Sequence, residues 1–141
     1  MVERTARATW NGTLPRGNGS LSLGSGAFEG PYDFRSRFED GAETNPEELV
    51  GAAHAGCFSM ALAAELDRAG YDPEAVETAA TVHLEEGDDG WTITRSHLDT
   101  EVAVADVEDE EFQAIAETAK ENCPVSRALG GVEKTLDAAL R

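Results

Sequence analysis

The chain is short of sulfur, of lysine and of aromatic rings. Two cysteines and two methionines stand among 141 residues. So few cysteines exclude the disulfide framework of a small secreted protein and a four-ligand structural zinc site. Only Lys120 and Lys134 supply lysine, and the other nine cations are arginine, so 11 positive side chains face 28 acids for a formal charge of -17 at pH 7. That balance argues against nucleic acid, whose phosphates would be repelled, and against anionic membrane surfaces. Long hydrophobic runs are also missing. The N-terminal MVERTARATW lacks the apolar run of a signal peptide. The longest apolar stretch, Leu49 to Leu66, is interrupted by His54, Ser59 and Glu65, which suits a core helix rather than a membrane span. Glycines in GSLSLGSG lack the strand–loop–helix setting of a phosphate cradle. No cofactor and no metal are expected, and the expected compartment is the cytoplasm.

What is present in excess is negative charge. A solvated acidic shell keeps a protein soluble but strains its compact state by self-repulsion, which concentrated salt screens. The composition therefore fits a halophilic cytosol. The length fits one domain spanning 1–141.

Periodicity orders the chain as strands, long helix, strands, helix, strand. Ala6, Ala8 and Trp10 alternate with Arg7 and Thr9, which suits a half-buried strand. SLSLGSG and YDFRSRF read as further strands, with Phe34 and Phe38 facing inward and Arg35 and Arg37 sharing a face. In ETNPEELV, Asn45 can cap a helix, Pro46 fits its first position and Glu48 follows three residues after the cap. That helix should end near Gly70. Its apolar residues cover most of its circumference, so it should be buried on nearly all sides, and a chain this small needs a second copy to cover it. Ala80, Val82 and Leu84 alternate, and EEGDDGW reads as a hairpin turn. Trp91 and Ile93 keep one parity while Leu98, Val102 and Val104 keep another, so a bulge or phase change is expected between them. An acidic helix carrying Phe112, Ile115 and Ala119 follows, and Leu136, Ala138 and Leu140 close the chain as a strand. The fold class is α+β with mostly antiparallel pairing.

The two cysteines occupy different settings. Cys57 lies about three turns into the long helix, beyond the reach of helix-dipole help, and burial alone would leave it inert. Packing as a small hydrophobe is the ordinary fate of such a residue. Small neighbours at Ala53, Gly56 and Ala61 leave room for an approaching group, but a reactive thiolate needs a cation from another element. Cys123 precedes Pro124 at the edge of a helical segment, where exposed N–H groups favour a thiolate. Their separation of 66 residues is not that of a C-x-x-C redox motif. His54 shares a helix face with Cys57. It could be a general base for acyl or thiol transfer, or the thiols could be inert in a non-catalytic dimer that holds an apolar ligand.

TNPEELVGAAHAGCFSMAL followed by NCPVSRAL, together with WNGTLPRGNGSLS and PYDFRSRFE, resembles the OsmC branch of the OsmC/Ohr peroxidases, the osmotically inducible and organic hydroperoxide resistance proteins. The resemblance covers nearly the whole chain. It implies the OsmC-like fold, an intertwined homodimer with sheets wrapped around long central helices, and two active sites at the interface. It implies that Cys57 is the peroxidatic cysteine, Cys123 the resolving cysteine, Arg37 the arginine facing the thiolate and Glu47 the carboxylate that orients it. The implied substrates are organic hydroperoxides and, more weakly, hydrogen peroxide. The implied reductant is a dithiol, with a dihydrolipoyl protein as the family's example. This sequence departs at Gly56, where the family commonly has alanine. Phe34, Phe38, Phe58 and Met60 are candidates for an apolar pocket wall.

The charge imbalance gives the first testable expectation. The melting temperature should rise as salt is raised from low to molar concentration; a temperature indifferent to salt would refute the halophilic reading.

Overall fold

Turns rich in glycine and asparagine cut the N-terminal third into short strands. The computed structural model describes residues 1–141, which form two compact units, 1–49 and 50–141.

In the first unit, β1 (Ala6–Asn11), β2 (Asn18–Leu23) and β3 (Glu29–Tyr32) form an antiparallel sheet in that order. Ala6 and Ala8 alternate as expected, yet both are exposed, and only Trp10 in β1 is partly covered. The half-buried strand is therefore corrected to an open one: a three-stranded sheet has no second layer of its own in this unit to bury a face. Trp10 packs on Tyr32, with ring centroids 5.4 Å apart.

The expected strand at YDFRSRF is also corrected. Residues Phe34–Phe38 form a short helix, α1. Asp33 opens it with a reciprocal cap: its carboxylate accepts from the Ser36 N–H at 2.8 Å while its own N–H donates to Ser36 Oγ at 2.9 Å. Two orphan donors are thereby satisfied, which favours a helical turn over an extended run. Phe34 and Phe38 then sit one turn apart with ring centroids 4.9 Å from each other.

The long helix α2 runs Pro46–Arg68. Asn45 Oδ1 accepts from the Glu48 N–H at 2.7 Å, so the cap is as read from the sequence. The Glu48 side chain instead accepts from Thr44 Oγ1. Gly70, at φ +92°, stands where the chain leaves the helix, in a conformation that costs glycine little. By length and composition α2 could cross a membrane, but one of its faces is occupied by protein.

The second unit holds most of α2 and a sheet of β4 (Ala75–Gly87), β5 (Gly90–Ala103) and β6 (Glu133–Leu140), in that order. The β4–β5 hairpin turns at Asp88 and Asp89, between the paired Gly87 and Gly90. The expected bulge is present: His83 pairs with Arg95 and Leu84 with Ile93, which leaves Thr94 without a partner residue. Beyond it Ser96, Leu98, Thr100 and Val102 are all buried on one face of β5. β6 pairs with β5 in parallel. The helices α3 (Asp109–Asn122) and α4 (Pro124–Ala128) form the crossover that such a pair requires.

The core joins Phe58, Leu62 and Leu66 of α2, Leu98 and Val102 of β5, and Phe112, Ala116, Ala119 and Cys123 along and just beyond α3. The expectation that α2 is buried on nearly all sides is not met within this chain. Gly51, His54, Phe58, Leu62 and Leu66 are buried, whereas Ala52, Ala53, Gly56 and Met60 are exposed, Met60 to 77%. Phe58 fills the buried stripe without any remaining accessibility. Phe58→Ala should cost about 3–5 kcal/mol in equilibrium denaturant unfolding, because the surrounding helices and sheet cannot collapse into the gap.

Candidate active site

The four residues singled out for chemistry occur as two pairs. In the first unit, Arg37 lies in the last turn of α1 and Glu47 in the first turn of α2. Both Nε and Nη2 of Arg37 donate to Glu47 Oε1, at 3.0 and 2.8 Å. The carboxylate is nearly buried while the guanidinium keeps about a third of its surface, 37% against 9% exposed for the acid. Glu47 Oε2 is buried and accepts no hydrogen bond from protein. Asn45 Nδ2 donates to the Ser36 carbonyl at 2.8 Å and so ties the start of α2 back to α1. Arg37 also lies over the Phe38 ring, 5.2 Å from its centroid. A guanidinium held by an acid on one edge and by a ring on one face keeps its remaining N–H groups in a fixed direction.

Helix α1 separates two arginines that an extended strand would have placed on one face. Arg35 is 72% exposed and meets only Glu39, at 3.6 Å. Arg37 is the one oriented by Glu47. Beside it a cavity of about 390 Å3 is lined by Trp10, Leu14, Tyr32, Phe34, Arg37 and Phe38, among others. Of the four residues proposed as pocket wall, Phe34 and Phe38 line this cavity, Phe58 is plain core and Met60 is exposed.

The second pair lies in the second unit. Cys57 is half-buried and Cys123 wholly buried, and both are free thiols. Cys123 is the hinge residue between α3 and α4. Its N–H closes α3 onto the Ala119 carbonyl at 3.0 Å, and its carbonyl accepts from the Arg127 N–H at 3.1 Å. Pro124 then occupies the first position of α4, as its fixed φ favours. The Cys57 thiol hydrogen-bonds to the Cys123 side chain and receives the Val125 N–H. Burial pushes the Cys57 pKa up, and the bond to Cys123 adds to this. The Val125 N–H pulls in the opposite direction without prevailing.

Two expectations change here. No guanidinium or ammonium of the second unit acts on Cys57. The N–H at the edge of α4, expected to favour Cys123, is directed at Cys57 instead, and Cys123 makes no side-chain cap bond. This donor was not legible in the sequence, because it is a backbone group of a residue 68 positions away from Cys57.

His54 is fully buried. Its Nδ1 shares a hydrogen bond with Ser96 Oγ at 2.7 Å, and its Nε2 shares one with Ser126 Oγ at 2.8 Å. Both ring nitrogens are therefore occupied, and neither is bonded to Cys57. Burial and the Lys134 charge lower its pKa, so the ring is neutral at pH 7. Parallel pairing places Lys134 opposite Ser96, and the Lys134 ammonium donates to the carbonyls of Leu129 and Val132 at 2.7 and 2.9 Å. A histidine so engaged is a structural tie rather than a free base. Ser96 and Ser126 carried no signal in the sequence, since a lone serine in a strand or short helix is ordinary. No group of three or more His, Cys, Asp or Glu is arranged to hold a metal ion.

Known proteins share this arrangement of elements. An OsmC-like protein of Vibrio cholerae superposes with a TM-score of 0.78 at 16% identity, over 98% of this chain and 99% of the other. An organic hydroperoxide resistance protein from Elizabethkingia anophelis gives 0.75 at 24% identity, over 99% of each chain. At these identities the likeness shows the fold. In sequence, the peroxiredoxin OsmC of Escherichia coli strain K12 is 45% identical over 141 residues, 99% of this chain and 98% of that protein. The pattern of the family described as OsmC-like protein matches residues 39–137, a stretch that holds Glu47, Cys57 and Cys123 and begins just past Arg37. Fold, full-length identity and family pattern agree, and the chain belongs to the OsmC-like family.

Proposed function

We propose that this protein is a thiol peroxidase that reduces organic hydroperoxides to alcohols, working as a homodimer in which Arg37 of one copy serves Cys57 of the other. The observation that carries this reading is the hydrogen bond between the half-buried Cys57 and the buried Cys123 thiol. Two thiols brought together from helices 66 residues apart are poised to exchange a disulfide. The likeness to a peroxiredoxin over the whole chain supports the same chemistry.

The cycle balances as follows. Cys57 thiolate attacks the distal oxygen of the hydroperoxide and the O–O bond breaks. The sulfur becomes a sulfenic acid, and the departing alkoxide takes a proton to become the alcohol. Cys123 thiolate then attacks the sulfenic sulfur, and hydroxide leaves to become water as the disulfide forms. An external dithiol restores both thiols by exchange and is itself oxidised. Arg37 supplies the positive charge that Cys57 lacks. Its free N–H groups can also face charge developing on the peroxide oxygens. The aromatic cavity beside it suits the apolar tail of an organic hydroperoxide.

A second copy answers two features of the protomer. The exposed apolar face of α2, with Ala52, Ala53, Gly56 and Met60, needs cover. A Cβ at Gly56 would meet nothing within 4 Å, so another helix can approach there closely. The thiol of Cys57 receives no cation from the second unit, and Arg37 of a second copy would supply one. The competing reading of His54 as a catalytic base loses its footing, because both ring nitrogens are already engaged by serines.

Two experiments test the proposal. In stopped flow with cumene hydroperoxide and dihydrolipoamide, the unaltered protein should turn over. Cys123→Ser should give one equivalent of alcohol per Cys57 and then stall, because the first oxidation survives and the disulfide cannot form; an unreactive native protein would remove the peroxidase reading. Arg37→Ala and Cys57→Ser should each be inactive alone, the former by about a hundredfold or more. Mixed and re-equilibrated, the two should regain activity through hybrid dimers that unite an intact Arg37 with an intact Cys57. No recovery in verified hybrids would mean that Arg37 does not act across the interface.

A further inference from the structure

The mechanism above leaves one buried polar cluster unused, the link from Ser96 through His54 to Ser126. His54 and Cys57 lie three residues apart on α2, and Cys123 and Ser126 lie three residues apart at the start of α4. On helices this spacing stacks side chains one turn apart on the same face. The two helices are therefore joined by two adjacent rungs, Cys57 to Cys123 and His54 to Ser126. His54 is anchored behind by Ser96 of β5. All three polar residues are buried, His54 and Ser96 fully and Ser126 to within 2%.

Helix α4 needs such a tie. It has only five residues, and a helix that short does not hold its own shape. Lys134 fixes the turn after it, through Leu129 and Val132. Cys123 fixes its start to α3. His54 is the side chain of α2 that holds its middle, and it does so one turn from the sulfur that Cys123 must reach. Both groups that address Cys57, the Cys123 thiol and the Val125 N–H, ride on this segment.

We propose that His54 is a positioning residue for disulfide formation: through Ser126 it locks α4 so that Cys123 stays aimed at Cys57. It takes and gives no proton in the reaction. Its part is to keep two sulfurs in register while the bond forms, where an error near 1 Å costs on the order of a hundredfold. The consequence for a peroxidase, which rests on the function proposed above, is protection. Rapid resolution removes the sulfenic acid before a second peroxide converts it to sulfinic acid.

The test separates this role from the peroxidase reading. The full chain, reduced, is treated with dithionitrobenzoate. Cys57, the accessible thiol, attacks first and releases one thionitrobenzoate as its mixed disulfide forms. Cys123 thiolate then attacks the Cys57 sulfur, closing the disulfide and expelling the second thionitrobenzoate. In Ser126→Ala and in His54→Gln the first release should keep its native rate, while the second slows by about ten- to a hundredfold. Ser126→Thr, which keeps the hydroxyl, should restore it. The double variant should be no slower than the slower single one, since both break the same rung. A second release unchanged in Ser126→Ala, or both releases slowed in equal proportion, overturns the proposal. A single-turnover arm with cumene hydroperoxide then reads sulfenic, disulfide and sulfinic forms by mass. Sulfenic acid should appear at the native rate in the variants and pass increasingly to sulfinic acid. If the native protein forms no sulfenic acid, the peroxidase function falls while the exchange arm still decides the role of His54.

Discussion

One contact organises this molecule, the hydrogen bond between a mid-helix thiol and the thiol at the hinge of α3 and α4. Meeting it imposes demands on both partners. Cys57 must lie where α2 turns from its buried stripe toward its exposed one, neither sealed nor free. Cys123 must sit where a helix breaks, because only there does the backbone N–H of a following residue become available to a sulfur from elsewhere. Asn-Cys-Pro supplies the break. Proline disfavours helical geometry at the residue before it and is itself well suited to begin the next helix. Cys123 closes one helix and opens another, and its position is set by two elements instead of one.

Scarcity of positive charge gives the few cations weight. Of 11 Lys and Arg against 28 acids, several sit at the surface beside one of the many carboxylates, where a pair contributes little. Arg37 and Lys134 are different. Arg37 meets a nearly buried carboxylate through two donors on one oxygen. Lys134 meets no acid at all; it donates to two main-chain carbonyls and its charge helps to keep His54 neutral. One cation is tied to a buried acid and the other to the turn after the segment that carries Cys123.

How far the sequence announces this architecture depends on which residues are asked. The cap at Asn45 and Pro46, the glycine exit of α2, the β4–β5 turn and the bulge at Thr94 all follow from local rules that tertiary structure does not override. Helix α1 does not follow from periodicity, because Phe34 and Phe38, four residues apart, share a face in a strand and in a helix alike. The deciding signal was Asp33 with Ser36 three residues on, a cap without the usual acid. Alternation in β6 reveals its faces but not its direction; the helices between β5 and β6 were the available clue to a parallel pair. The cysteines, Arg37 and Glu47 were singled out through resemblance, and of the two arginines it is Arg37 that pairs with Glu47. Ser96, Ser126 and the Val125 N–H were not legible, since each becomes meaningful only when distant segments meet.

Three influences of unequal reach set the direction in which the Cys57 pKa moves. Burial raises the cost of ionising a thiol, and a neighbouring thiol that would share its site adds to that cost. One backbone N–H opposes both but carries only a partial charge, and the net direction of the Cys57 pKa is upward. A full positive charge a few ångströms away is worth several times a dipole in the same low-dielectric setting, so a guanidinium opposes burial more strongly than a further N–H group does. It also follows that such a charge must come already held in direction, because a mobile arginine would spend its time in the acidic surroundings of this chain. A carboxylate that is almost wholly buried and bonded to Arg37 through a single oxygen fixes one edge of that guanidinium.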